Sequence, residues 1–141
     1  MKTTKILVQK SETGLSEDNK AKLKSLKIYK DKKHFKFSNG WVDLSYELGK
    51  NIEEVCKLAN CELPKIEAMY NKYNSLRVDY NFTSPVPKIV ETLIDSLIYV
   101  TEDKSEMICE YCGKSCDIEI TEKNNNYINA CEKCFDRKKR D

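Results

Sequence analysis

The residues with the clearest chemistry are four cysteines near the end of the chain. They form two pairs, Cys109-Glu110-Tyr111-Cys112 and Cys131-Glu132-Lys133-Cys134, with eighteen residues between them. That spacing fits a four-thiolate metal site. Two residues between cysteines let a tight backbone knuckle aim both sulfurs at one ion. Two such knuckles complete a tetrahedron with Zn–S bonds of about 2.3 Å. Gly113 follows the first pair, where a knuckle calls for positive φ. The expected cofactor is a structural Zn2+ held by Cys109, Cys112, Cys131 and Cys134.

The same residue types argue against catalysis. A catalytic zinc keeps a position open for water, and four thiolates close the shell. His34 is the sole histidine. It reads as a surface or strand residue, and a pair of histidines is ruled out. The chain has no glycine-rich phosphate loop and no Gly-x-Ser-x-Gly elbow. An enzyme is therefore not expected. Of the remaining cysteines, Cys56 and Cys61 read as small core residues. Cys116 opens an alternating stretch and reads as packing, with an alternative role as a ligand.

Composition sets the setting for that site. The chain of 141 residues is 40% hydrophobic and 34% charged. Those values fit a folded protein rather than a disordered one. Met1 to Lys10 is basic, but its apolar run is only Ile6-Leu7-Val8, too short for a signal-peptide core. No stretch reaches the roughly 18 apolar residues of a membrane span. The expectation is an intracellular protein with reduced thiols, in which paired cysteines favour metal. Charge is uneven along the chain. Residues 1–40 carry eleven lysines against four acidic residues, whereas residues 41–109 carry twelve acidic against seven basic groups. A basic front segment suits nucleic acid or an acidic protein face.

The elements that must position these groups follow from pattern and punctuation. Residues 1–15 read as a flexible N-terminus, with Ile6-Leu7-Val8 as a short edge strand. Ser16 caps a helix with Glu17 and Asp18 in its first turn. Ile28 to Phe37 alternates at period two and reads as a small hairpin. Trp41 reads as a core anchor. Asp43 to Leu48 reads as a short helix stopped by Gly49. A second helix runs from Ile52 to Asn60. A third opens at Leu63-Pro64, with Ile66, Met69, Tyr70 and Tyr73 on its inner face. Val78 and Tyr80 suggest a short strand. Thr83-Ser84-Pro85-Val86-Pro87 is a break. A helix over about 86–100 follows, with Ile89, Val90, Leu93, Ile94, Leu97 and Ile98 in a wide apolar stripe. That stripe packs on the preceding helices or forms the seam of a homodimer. Thr101 to Met107 reads as a charged connection.

Two local resemblances add to this reading. Residues 54–71, Glu54-Val55-Cys56-Lys57-Leu58-Ala59-Asn60-Cys61-Glu62-Leu63-Pro64-Lys65-Ile66-Glu67-Ala68-Met69-Tyr70-Asn71, resemble the helix-turn-helix of bacterial repressors. Cys56 stands where that motif wants a small residue, and Asn60 where it wants a turn residue tolerant of left-handed backbone. The resemblance implies DNA binding, with Lys65 and Asn71 on the reading helix. Glu62 and Glu67 depart from it, because they would repel phosphates. Residues 108–136 resemble a treble-clef finger or a zinc ribbon. The first knuckle is followed by an alternating strand with Ile118 and Ile120, a turn at Asn124-Asn125-Asn126, and a return strand at Tyr127-Ile128. The second pair then leads into Phe135 to Arg140.

The expected fold class is mainly α with small β. A helical, helix-turn-helix-like domain over 16–104, with the motif at 43–74, precedes a four-cysteine zinc finger over 105–141. The expected function is a small nucleic-acid-binding protein, a DNA-binding transcription regulator. Its candidate contacts are Lys65, Asn71, Lys32, Lys33, Lys36, Arg137, Lys138 and Arg140. The alternative is a phage or mobile-element protein that modulates a larger nucleic-acid machine through protein contacts. The partners implied are DNA or a protein of that machinery, and no membrane.

Overall fold

The computed structural model describes residues 14–31, 35–114, 119–123, 126–130 and 134. These form three α-helices, two short 3-10 turns and two two-stranded antiparallel ladders. Helix α1 spans Glu17–Lys24, α2 Val42–Ala59 and α3 Lys88–Ser105. Strands β1 (Lys65–Lys72) and β2 (Ser75–Asn81) pair with each other, as do β3 (Glu119–Lys123) and β4 (Asn126–Ala130). No helix among the described residues is long and apolar enough to cross a membrane.

Helix α1 starts where its cap predicts. The Ser16 hydroxyl accepts from the Asn19 amide at 3.2 Å, and Glu17 and Asp18 sit in the positive first turn. Leu23 is its buried anchor. The N-terminal segment expected to be flexible includes Leu15, which is buried in the core. Ile6, Leu7, Val8 and His34 lie outside the described residues.

The expected hairpin over 28–37 is replaced by a different pairing. Residues Lys27–Tyr29 form a 3-10 turn that buries Ile28 and Tyr29. Lys36 instead bridges to β1 beside Tyr70 in parallel sense. Its amide donates to the Met69 carbonyl at 2.9 Å, and the Asn71 amide donates to its carbonyl at 3.3 Å. The alternation was real, because it sends Phe35 and Phe37 inward and Lys36 outward. Tyr29, Phe35, Phe37 and Trp41 then form a chain of rings with centroids 5.7, 5.9 and 6.4 Å apart. Such contacts dominate a small core.

Helix α2 is continuous where two helices were expected. Gly49 lies inside it, on the buried face with Ser45, Leu48, Ile52 and Cys56. Its role is close approach rather than termination. A Cβ at Gly49 would stand 2.6 Å from the Tyr29 ring and 2.9 Å from a Leu26 methyl. Tyr29 cannot yield, since its hydroxyl donates to the Ser45 carbonyl at 2.7 Å and its ring is fully buried. The helix ends at Asn60, left-handed at φ 55 and ψ 46, and the Cys61 amide reaches back to the Cys56 carbonyl at 2.8 Å. This is a Schellman-type end.

The helix expected after Pro64 is strand β1, so the helix-turn-helix reading is overturned. A bulge explains the misreading. The register between β1 and β2 shifts between Ile66 and Ala68. The inserted residue puts inward-facing Ile66 and Met69 three apart, a spacing that mimics a helix face. Tyr73 and Asn74, with φ of 54 and 68, make the tight turn into β2. Two successive positive φ values match the twist of the flanking strands.

Helix α3 runs to Ser105, so the charged connection expected at Thr101 is its last turn. Val90, Ile94, Ile98, Thr101 and Ser105 face inward. It closes the free edge of β2: the Ser105 hydroxyl accepts from the Leu76 amide at 2.8 Å, and the Glu102 carboxylate accepts from the Val78 amide at 3.0 Å. Burial pushes the Glu102 carboxyl up from its ordinary range, while the Val78 amide and Arg77 pull it back. Ile89 and Leu93, expected in the inward stripe, are exposed.

Replacing Gly49 by alanine tests the close approach. Alanine favours a helix interior by up to about 1 kcal/mol, whereas overpacking costs about 1–3 kcal/mol. Gly49→Ala is therefore expected to lower stability in urea unfolding, and a gain in stability would contradict the packing account.

Candidate metal centre

Three of the four expected ligands are described, and they converge. The sulfurs of Cys109, Cys112 and Cys134 all lie within 4.8 Å of one another. Tetrahedral thiolates with bonds of about 2.3 Å place their sulfurs about 3.8 Å apart. The observed cluster is thus close to the size a metal ion requires. These three cysteines could hold a metal ion. Cys131 lies outside the described residues, as does Cys116.

The first knuckle has the expected local geometry. The Gly113 amide donates to the Cys109 carbonyl at 2.9 Å, and the Cys109 amide to the Lys114 carbonyl at 2.9 Å. Gly113 holds φ at +80, which an L side chain reaches only with strain. The Cys112 amide donates to the Cys109 sulfur at 3.5 Å. Cys109 and Cys134 are buried, and Cys112 is exposed.

The knuckle is bonded directly to the body of the protein. Trp41 donates its indole N–H to the Ile108 carbonyl at 3.0 Å. The Gly40 amide donates to the Glu110 carbonyl at 2.6 Å. A Cβ at Gly40 would collide with the Cys109 and Glu110 carbonyls, so the glycine lets the two backbones touch. Glu110 lies between the two cysteines and is only 5% exposed. Its carboxylate accepts from the Asn71 side-chain amide at 2.6 Å and from the Ser38 backbone amide at 3.1 Å. Two donors to one buried carboxylate offset the cost of removing its charge from water.

Glu110 was missed by sequence reasoning. A polar residue inside a Cys-x-x-Cys pair carries no signal of its own, and its partners are 39 and 72 positions away. Asn71 was expected to face a nucleic acid, but it faces inward and holds Glu110. Lys65 is exposed at the start of β1, opposite Asn81. With the bulge counted, Lys65 and Asn71 lie on opposite faces of the sheet. Lys36 is exposed on the far side of β1. Lys32, Lys33, Arg137, Lys138 and Arg140 lie outside the described residues.

The outer face of the sheet has its own arrangement. Tyr70 pairs with Arg77 across the β1–β2 ladder, and Lys36 bridges to Tyr70 from the other side. Lys36, Tyr70 and Arg77 therefore form one row on one face. Burial, and the Asp79 carboxylate 3.5 Å away, raise the Tyr70 hydroxyl above its ordinary range, with Arg77 opposing. Arg77 also approaches Glu102, at 3.9 Å. At the turn, the Lys72 ammonium stands 5.5 Å over the ring of Tyr73, which is 71% exposed. The signal for this row lay in the period-two reading of residues 65–72, which the helical reading hid.

No known family model matches the chain, and no curated protein or solved structure matches it either.

Two outcomes check the centre. Glu110→Ala removes a carboxylate that two donors share, and a hydrogen bond to a charged group is worth about 1.5–3 kcal/mol. We expect a loss of about 2–4 kcal/mol in urea unfolding, whereas a loss below about 0.5 kcal/mol would place the joint elsewhere. Cys112→Ser should lower bound metal in elemental analysis and expose the chain beyond α3, residues 106–141, to protease. The circular dichroism of α2 and α3 should persist.

Proposed function

We propose that the protein is a non-enzymatic nucleic-acid-binding protein whose last third is stapled by a structural zinc on Cys109, Cys112, Cys131 and Cys134. Zinc fits an all-sulfur donor set, and a closed thiolate shell leaves no position for an activated water. The same shell contributes stability that a segment of this size lacks on its own.

The observation that carries the binding reading is the row of Lys36, Tyr70 and Arg77 on the solvent face of the sheet. An aromatic ring between two cations is a platform on which a base can stack while flanking phosphates meet the charges. Lys72 and Tyr73 extend it at the turn. The ring at the centre of the row favours stacking on unpaired bases over reading base edges in a groove. A regulator of transcription remains the role proposed for such contacts.

A second reading is favoured by the acidic groups on the same side. Asp79 contacts Tyr70, and Glu102 contacts Arg77. A partner protein of a nucleic-acid machine could pair with both signs of charge at once, where a polyanion meets only one.

Fluorescence anisotropy with labelled single strands and duplexes across a salt series separates the two. The nucleic-acid reading predicts tighter binding to single strands, and affinity falling with salt at a log–log slope of about −0.7 per phosphate contacted. Tyr70→Ala should weaken binding by about five- to hundredfold, the range of one stacked base. Tyr70→Phe should keep most of it. Absence of binding at about 50 mM salt would overturn this reading in favour of a protein partner.

A further inference from the structure

The C-terminal end of α2 holds two thiols that neither the metal centre nor the sheet face uses. Cys56 lies on the buried side of the helix at 2% exposure. Cys61 follows the left-handed Asn60 and is half-buried. Both line one cavity of about 670 Å³, together with exposed Lys50, Glu54 and Lys57.

The helix end itself brings the two together. The Cys61 amide donates to the Cys56 carbonyl at 2.8 Å. This is the six-to-one bond of a Schellman end, a motif that sets its first and sixth side chains against each other. Bond lengths along the path from one Cα through this hydrogen bond to the other cap their separation at about 6.7 Å. A disulfide bridges about 4.4–6.8 Å between Cα atoms. The Cys61 thiol donates to the Ala59 carbonyl at 3.5 Å, which turns its sulfur back toward the helix end.

Burial makes the two thiols unequal. It pushes the Cys56 thiol up from its ordinary range, and the nearby Cys61 adds to the shift. Cys56 therefore keeps its proton, and half-exposed Cys61 is the thiol that an incoming reagent meets first.

We infer that Cys56 and Cys61 form a reversible disulfide by exchange with a low-molecular-weight disulfide admitted by this cavity. The Cys61 thiolate attacks one sulfur of the reagent, whose S–S bond breaks. One reagent thiol leaves, taking up the proton that Cys61 lost, and a mixed disulfide stays on Cys61. Cys56 then gives up its proton and attacks the Cys61 sulfur, and the second reagent thiol leaves with that proton. Two protein thiols are oxidised, and one reagent disulfide is reduced to two thiols. The burial of Cys56 suits the second step, which needs contact with Cys61 and none with solvent. The product pins the end of α2 to the segment that enters β1. The inference uses neither the metal-site cysteines nor the Lys36–Tyr70–Arg77 row, so it stands apart from nucleic-acid binding.

The test equilibrates the intact, metal-loaded protein in glutathione buffers of rising oxidised-to-reduced ratio, followed by alkylation and tryptic mass spectrometry. Trypsin cuts after Lys50, Lys57 and Lys65, so the disulfide joins residues 51–57 to residues 58–65. The expected result is a linked pair that grows with the ratio, disappears on return to reduced glutathione, and forms with bound metal unchanged. Cys56→Ser should stop the reaction at one glutathione on Cys61, and Cys61→Ser should leave Cys56 unmodified. Absence of the linked pair from the wild-type chain in fully oxidised glutathione would overturn the inference. A linked pair that appears only after metal loss or unfolding in urea would overturn it equally. A folded Cys56→Ser protein whose Cys61 takes up no glutathione would overturn Cys61 as the attacking thiol.

Discussion

The buried carboxylate of Glu110 is the contact on which the rest of the arrangement depends. It lies between Cys109 and Cys112, two cysteines that could hold a metal ion, in sequence, and between two distant segments in space. Asn71 reaches it from β1, and the Ser38 amide reaches it from the segment that leads into α2. A carboxylate left without donors in such a place would cost several kcal/mol or take up a proton. The knuckle, β1 and the start of α2 must therefore be placed together. Gly40 allows it, because its missing side chain lets the Cys109 and Glu110 carbonyls come into backbone contact. Trp41 completes the joint by donating to the Ile108 carbonyl while its ring fills the core. The backbone from Ile108 to Glu110 is thus joined to the core by direct hydrogen bonds.

What the sequence revealed and what it hid follow from the range of the interactions. Groups governed by their immediate neighbours were legible. Ser16 caps α1, Asn60 adopts the left-handed end of α2, and Gly113 takes positive φ after the knuckle. The cysteine spacing also carried its information locally, and three of the four sulfurs meet. Groups governed by distant partners were not legible. Gly49 looked like a stop because glycine ends helices, but the ring of Tyr29, twenty residues earlier, requires it. Residues 65–72 looked helical because one bulge turned a spacing of two into a spacing of three. The segment at 35–37 alternated as a strand should, yet its partner was β1 rather than the nearby residues 28–30.

The bulge also changes what the surface can do. The helical reading turned both Lys65 and Asn71 outward. On the strand they are divided: Lys65 faces solvent and Asn71 serves the joint. The same change assembles Lys36, Tyr70 and Arg77, which no helical register would align.

Hydrogen exchange with and without a chelator is the most direct test of the joint between metal and core. The amides of Ser38 and Gly40 donate to Glu110, so their protection should depend on metal at the knuckle. Metal removal is expected to speed exchange at these two amides and through residues 108–114, while the amides of α2 beyond its first turn and of α3 up to Ile98 keep their protection. Unchanged exchange at Ser38 and Gly40 after complete metal removal would contradict the account, as would a metal-loaded protein in which those two amides exchange freely.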